Sequence, residues 1–461
     1  MAHRIASRTD AAAVTSSTTS DRRWWPKIQP RERRCTALAA SWFFCILLSY
    51  FVIRPIRETM GAQGGTKELP HLFLVTFLVM LAAVPAYSAL VARLPRRWLV
   101  RVVYHFFCAC LILFWFSMQY GNAPVKFWAA RIFFVWVNVF GLFATSVFWS
   151  VLTDIFSNEQ AKRLFGLVAT GGTVGAITGS LVTSVLTNYL SIGWLMLLPV
   201  VLLQIGLWCA WRLERNARIL AETEPDAPPD RSAVASTNEE PTGGGLWSGI
   251  TQVARSPFLA TICVYLFLVQ AIGTQLYFQQ ASIVANAFDV NEQRTQWFAY
   301  LDLATQLLTL AIQGALASVV LRRLGVGFAL ALLPVVYAIG LVALAIDPTL
   351  LILSITMVAT RATSYGITVP SREVLFTVVT REQKYKSKSF IDTVVLRGGD
   401  AIASQLYRAV TSAGVSLARM NWYALPIILA WIAVSFGLGR FQQRLSTQQQ
   451  NSTRNDHSPP Q

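Results

Sequence analysis

The stretch 377–401, TVVTREQKYKSKSFIDTVVLRGGDA, sets Arg381, Glu382, Lys384, Lys386 and Lys388 close together, ahead of an apolar run that itself holds Asp392, Arg397 and Asp400. The rest of the chain is overwhelmingly apolar, so polar chemistry concentrates here. A shorter counterpart, DIFSNEQAKRLFGLVATGGTVGAITGS at 154–180, repeats the order: Glu-Gln, basic residues, then an apolar run into Gly-Gly. The offsets agree, with Glu159 and Glu382 separated by 223 residues, Gly171 and Gly398 by 227, and the pairs Arg96-Arg97 and Arg322-Arg323 by 226. The chain therefore reads as two related halves, each with a basic loop ahead of a glycine-bearing helix.

With 461 residues, 54% hydrophobic and only 13% charged, the chain lies far from soluble proteins, in which about 25% of residues are charged. Apolar runs recur at 36–57, 70–92, 98–118, 126–150, 164–187, 193–212, 257–284, 295–320, 326–346, 349–376, 389–412 and 420–439. Each is long enough to cross a hydrocarbon core of about 30 Å as a helix. The expected fold is all-α: a polytopic membrane protein with twelve transmembrane helices in two pseudo-symmetric six-helix bundles, at 36–212 and 251–440. Residues 213–250 are rich in Glu, Asp, Pro and Gly and read as a linker. The tails at 1–35, which is basic, and 441–461 read as disordered. No cleavable leader is expected, because the polar start runs into a long apolar segment followed by many others.

The net charge of +16 would point a soluble protein toward nucleic acid, but its placement points elsewhere. Of 39 Lys and Arg, 28 fall in the tails and alternate loops on one side, six on the other, and five (Arg131, Arg361, Arg372, Arg397, Arg408) within spans. This bias places both termini in the cytoplasm, with the chain in the inner membrane of the cell. No nucleic-acid partner is implied. The six cysteines lie in or beside apolar runs without metal-ligand spacing and read as small buried hydrophobes. No nucleophile constellation, Walker motif or metal triad is present, so neither an enzyme nor a cofactor is expected.

The first span ends in Arg54, Pro55, Arg57 and Glu58. The two arginines share a helix face, and Pro55 favours a kink or a helix end. They read equally as headgroup anchors and as a cationic wall of a cavity. Arg131 lies near enough to Lys126 to snorkel to the interface. Gly171, Gly175 and Gly179 form a small-residue stripe suited to close helix approach, and span five is a candidate for the sliding surface between halves. Span seven holds Gln270, Thr274, Gln275, Gln279 and Gln280, and span eight holds Asp302 and Gln306. Asp302 reads either as a coupling group or as the partner of a buried arginine. Span ten is the most polar: Arg361 near its middle, Pro370 expected to break it, then Arg372 and Glu373. Intramembrane ions are costly and mark sites. Here the arginines outnumber the acids, which favours an anionic ligand.

The segments RPIRETMGAQGG at 54–65, SNEQAKRLFGLVATGGTVGAITGS at 157–180 and PSREVLFTVVTREQKYKSKSFIDTVVLRGGD at 370–400 resemble the ATP:ADP antiporter (nucleotide exchange) family, and more closely its divergent relatives in free-living bacteria, which are major-facilitator-like transporters. The resemblance implies a twelve-helix bundle exchanging ATP for ADP through a central cationic cavity. Arg57-Glu58 and Arg372-Glu373 stand where the family has basic-acidic pairs. Asn138 and Gln270 stand where it has acids, and that departure weakens the inference of nucleotide exchange while leaving an anion cavity.

The sequence reading is therefore a secondary transporter, expected to be monomeric, for an organic anion with ATP/ADP as the family's substrates. Arg57, Arg361, Arg372, Arg397, Gln270 and Asn138 are the candidate substrate-binding residues. Glu58, Asp302, Glu373, Asp392 and Asp400 are the coupling or charge partners. Asp154, Glu159, Lys162, Arg163, Glu382 and Lys388 are the cytoplasmic gate. Proton-coupled transport of a non-nucleotide solute, and a non-transporting membrane scaffold or sensor, remain as alternatives.

Overall fold

The computed structural model describes residues 30, 32–93, 95–156, 158–222, 246–379, 383, 387 and 390–456. Among them are twelve long helices and no strand. The first six are α1 (Arg33–Gln63), α2 (Gly65–Arg93), α3 (Arg96–Tyr120), α4 (Ala123–Ile155), α5 (Asn158–Leu186) and α6 (Leu197–Glu222). The second six are α7 (Pro257–Ala287), α8 (Asn291–Ala315), α9 (Gly325–Ile346), α10 (Leu350–Thr363), α11 (Leu396–Ser412) and α12 (Leu417–Asp456). Ten spans are long and apolar enough to cross a membrane by length and composition. The two helices outside that set are α8, which carries Asp302 and Gln306, and α11, which carries Arg397 and Asp400. Large apolar side chains such as Leu113, Phe116, Ile339, Leu351 and Leu429 face outward, as lipid-facing positions do.

Local chemistry explains where several helices begin. Asn122 caps α4 by accepting from the Val125 amide, with a proline in the first turn. Ser256 does the same for α7 ahead of Pro257, and Thr349 for α10. Such caps satisfy amides that otherwise have no partner. The tight turn between α1 and α2 passes through Gly65 at φ +62°, a conformation open to glycine at little strain.

Pairings in one half recur in the other. Helix α1 packs on α4, α5 and α6, and α7 correspondingly packs on α10, α11 and α12; α3 joins α4 and α6 as α9 joins α10 and α12. The halves meet along two related seams, α5 with α8 and α2 with α11, and α1 also touches α8. The first half is cored by Trp42, Tyr104, Phe107, Phe133, Phe140 and Phe148. Tyr265, Phe298, Phe376 and Trp431 core the second. A smaller cluster with Leu69, Leu72 and Phe134 from one half and Phe278, Tyr407 and Met420 from the other seals the bundle at the end opposite the termini. Polar contacts add to that seal: Thr59 with Thr295 at 2.7 Å, Gln405 to the Pro70 carbonyl at 2.9 Å, Arg408 with His71 at 3.0 Å and Gln296 to the Ser184 carbonyl at 3.0 Å.

Several sequence expectations change. The fifth span does meet the other half, through α8, but its glycine stripe faces inward: Gly171, Gly175 and Gly179 lie against the backbone at Ala40, Phe44 and Leu48 of α1, within the first half. Two four-residue periods match there, and close backbone approach is what the missing Cβ atoms permit. Pro55 does not end α1, which continues to Gln63 with Arg54 and Arg57 inside it. Nor does Pro370 break the tenth span. A π-helical turn at Ser364–Thr368 precedes it and leaves it in the first turn of a new helical segment, Val369–Leu375, where its missing amide is harmless. Helix α12 extends to Asp456, beyond the expected tail boundary at 441. The expected linker 213–250 is helical at its start, up to Glu222, and again from Leu246. Residues 223–245 and most of the N-terminal tail lie outside the described residues.

Candidate functional site

Between the halves lies a cavity of about 600 Å³, within the usual range of small-molecule sites, about 300–1,000 Å³. Four guanidiniums line it: Arg54 and Arg57 from α1, Arg361 from α10 and Arg397 from α11. Glu58, Asp400, Asn138, Gln270 and Thr274 share the lining, as do the aromatic rings of Tyr50, Tyr277, Tyr337 and Tyr365. The wall runs down α8 through Gln306 and Thr309 to exposed Gln313, toward the terminus-bearing end.

The charges are arranged in pairs. Arg54 Nη1 and Arg361 Nη1 each lie 3.2 Å from Asp302 Oδ1, a carboxylate almost fully buried behind the lining. Arg54 comes from the first half, while Asp302 and Arg361 come from the second, so the bridge joins the two. Arg361 Nη2 also donates to Gln280 Oε1 at 3.1 Å, whereas Asp302 Oδ2 has no hydrogen-bond partner. Arg57 pairs with Glu58 at 3.1 Å and lies over the Phe134 ring at 4.3 Å. On the far wall, Asp400 Oδ1 accepts from Gln270 Nε2 at 2.6 Å and from Thr274 at 3.3 Å, while its Oδ2 lies 3.8 Å from Arg397.

This arrangement reduces the expected cationic surplus to a small one. Each arginine of the cavity has a carboxylate within ion-pair distance. Counting Asp302 with Glu58 and Asp400 against four arginines leaves one positive charge in excess, and the excess arises where two guanidiniums share Asp302. Pairing is what a low-dielectric interior demands, since an uncompensated buried ion is strongly penalised.

Of the candidate binding residues, Arg57, Arg361, Arg397, Gln270 and Asn138 line the cavity. Arg372 does not. It lies toward the other end of the tenth span, 3.4 Å from Glu373 and 3.7 Å from Asp392, and so ties that span to the start of α11. Gln270 is engaged with Asp400, and Asn138 donates to the Phe134 carbonyl of its own helix at 3.1 Å. Among the gate residues, Arg163 bonds Glu32 of the same half at 2.6 Å, and Asp154 is exposed. The side chains of Glu159, Lys162, Glu382 and Lys388 lie outside the described residues. Arg131 pairs with Glu68 of α2 rather than only reaching for the interface.

Arg54, read with Arg57 as either a headgroup anchor or a cationic cavity wall but not counted among the candidate binding residues, also lines the cavity. Sequence reasoning passed over Tyr337 and Tyr365, which in an apolar run look like any core aromatic. A second pocket of about 310 Å³ adjoins the first, sharing Tyr50, Phe51, Asn138 and Arg397; Met80, Val84 and Phe140 supply apolar wall, and the predicted charge partner Asp392 lines it with Thr145 and Thr393.

A model of the Major Facilitator Superfamily matches residues 35–395. No curated protein matches the chain. Among solved structures, a bacterial homolog of the human lysosomal transporter Spinster, inward-facing and unoccupied, aligns with 15% identity over 91% of this chain and 95% of that one, with a TM-score of 0.52. The nucleoside transporter NupG aligns with 14% identity over 90% and 99%, TM-score 0.53. A POT family transporter in complex with 5-aminolevulinic acid aligns with 8% identity over 89% and 96%, TM-score 0.60. At such identities the likeness concerns the fold. The family match covers well over half of the sequence, from α1 through α10, and on that ground the chain belongs to the Major Facilitator Superfamily.

Proposed function

We propose that this protein is a secondary transporter that carries a small organic anion through the central cavity by alternating access, in the inner membrane of a bacterial cell with both termini cytoplasmic. The observation that carries the reading is the convergence of Arg54 and Arg361, one from each half, on the single carboxylate of Asp302, each at 3.2 Å. Both arginines line the cavity, and only one of their two charges is matched. A carboxylate or phosphate on a solute supplies the missing charge, and guanidinium groups bind such oxygens in a fork. The four tyrosines offer faces and hydroxyls to a planar, polar body. ATP/ADP exchange, implied by the resemblance of the motifs, fits less well, because a triphosphate brings several negative charges to a cavity with one in excess. A solute bearing one or two negative charges fits better.

Asp400 favours a second reading, proton-coupled movement of a non-nucleotide solute. Its carboxylate lies in the cavity wall, held by Gln270 and Thr274, where it is available to take and release a proton. Uptake into proteoliposomes of benzoate, phenyl phosphate, AMP and ATP, with uncharged benzamide as control, tests the proposal. Uptake of a monoanion or dianion that is lost in R361Q supports it. Uptake of benzamide alone overturns it, and uptake that tracks an imposed pH gradient and is abolished by D400N favours the second reading.

A further inference from the structure

We infer that Asp302 is the carrier's built-in counter-ion: in the empty protein its carboxylate takes the place of a substrate's anionic group between Arg54 and Arg361, so that the unloaded protein can change conformation and net transport, not only exchange, is possible. The inference rests on the reading of the cavity as an organic-anion site, and deepens it.

Three features separate Asp302 from the other acids of the site. It serves two arginines through one oxygen, at 3.2 Å each, whereas Glu58 and Asp400 are each paired with a single arginine among the described ion pairs. It is 1% exposed and lies behind the lining, so a solute meets the guanidiniums and not the acid. Its second oxygen is buried without a partner, a cost that a group kept only for structural pairing would not be expected to bear. Asp302 lies at the middle of α8, and Arg361 lies in the last turn of α10. Arg54 is five residues inward from Thr59 at the sealed end, or about 7.5 Å along α1.

Without Asp302, two guanidiniums would face each other in a water-poor interior with no acid between them. Such a pair demands an anion at all times, and a carrier of that kind moves only when loaded. With Asp302 present, an arriving carboxylate or phosphate must share or take over donors that the acid already holds. That weakens apparent affinity by the fraction of time the arginines are available. Asp302 therefore sets affinity and transport mode together.

The test uses the full-length protein in lipid nanodiscs, with sulfate as the probe. Thermal unfolding of wild type, D302N and D400N is followed over a sulfate series at constant ionic strength. D302N is expected to reach half of its shift at about one tenth of the wild-type sulfate concentration. D400N adds the same charge at the opposite wall and is expected to show a clearly smaller change. Equal behaviour of wild type and D302N, or of D302N and D400N, overturns the inference. Should D302N fail to fold, R54Q carries the test. It leaves one guanidinium for the carboxylate, so its sulfate response is expected to be at least about tenfold weaker than wild type, and an unchanged response overturns the inference.

In proteoliposomes, D302N is expected to retain exchange of phenyl phosphate while net efflux into anion-free buffer falls about tenfold, because a carrier with low competence when empty returns in proportion to that competence. Loss of both modes, or of neither, overturns the inference. If wild type moves no organic anion while the sulfate series behaves as expected, the transport reading fails and the counter-ion role stands.

Discussion

Thr59 on α1 and Thr295 on α8 meet hydroxyl to hydroxyl at 2.7 Å, one from each half, both fully buried. Each is also within hydrogen-bond distance of a carbonyl of its own helix, Pro55 and Asn291 respectively, at 3.0 Å. The contact therefore links two helices that hold their own shape, and it can part without unfolding either of them.

If this end opens during transport, joining it must stop the cycle. The double variant T59C/T295C, oxidised or treated with a very short cross-linker, is expected to lose more than about nine-tenths of its transport, as for any step that requires the parted conformation. Reductant should restore it. Full transport in a population shown by mass spectrometry to be cross-linked would contradict the proposed motion.

The glycine stripe makes a separate claim about stability. A Cβ at Gly175 would press on the Phe44 carbonyl of α1, which is backbone and cannot rotate away. G175A is expected to lose about 1–3 kcal/mol, read as a lower midpoint of thermal unfolding in detergent. G166A, at a position open to space, is the matched control and should change little.

Arg361 and Arg372 are both cations of the tenth span, yet the structure separates them. R361Q removes half of the arginine pair on Asp302 and is expected to weaken binding of a transported anion by about 2 kcal/mol or more, roughly thirtyfold. R372Q is expected to leave affinity near wild type and to change turnover, since Arg372 joins Glu373 and Asp392 outside the cavity. Competition binding and initial uptake rates, measured on both variants, tell these effects apart.

Buried amides give a fourth test. Gln275 and Gln279 of α7 both donate to the Asn421 side chain of α12, and Asn421 returns a bond to Gln279 at 3.2 Å. N421L strands both glutamines and is expected to destabilise the protein by about 1–3 kcal/mol for each buried group left unpaired. Unfolding of N421L beside N421D and wild type, monitored by tryptophan fluorescence, checks it.

The twelve helices were legible because lipid requires about twenty apolar residues for each crossing, and the repeat offsets near 226 residues marked the two halves. Even α8 and α11 could be read despite their charges, since acids and amides fall on one face of an otherwise apolar run. Arg361 was legible as a site residue from its depth alone. Asp302 could be read as the partner of a buried arginine, but which arginine was not legible: it lies 59 residues before Arg361, and only the packing of α8 on α10 brings the two to 3.2 Å. The glycine stripe was only partly legible for the same reason. Its spacing shows that a helix comes close, but whether the neighbour is α1 or a helix of the other half depends on tertiary arrangement. Pro370 misled because a π turn just upstream offsets the hydrogen-bond ladder, and no local residue type announces that offset.

Two π turns, Ser364–Thr368 and Ile391–Val395, bracket the polar end of the second half, while α4 and α5 of the first half run as continuous α-helices. A π turn carries one surplus residue in its ring and is a rare interruption of a helix, frequent at functional sites. The bundle is thus symmetric in its wiring and unequal in its stiffness. If the halves rock as proposed, the first would move as a rigid lever while the second could yield locally near Arg361, Arg372 and Arg397, gripping solutes of somewhat different length without the lever having to change its arc.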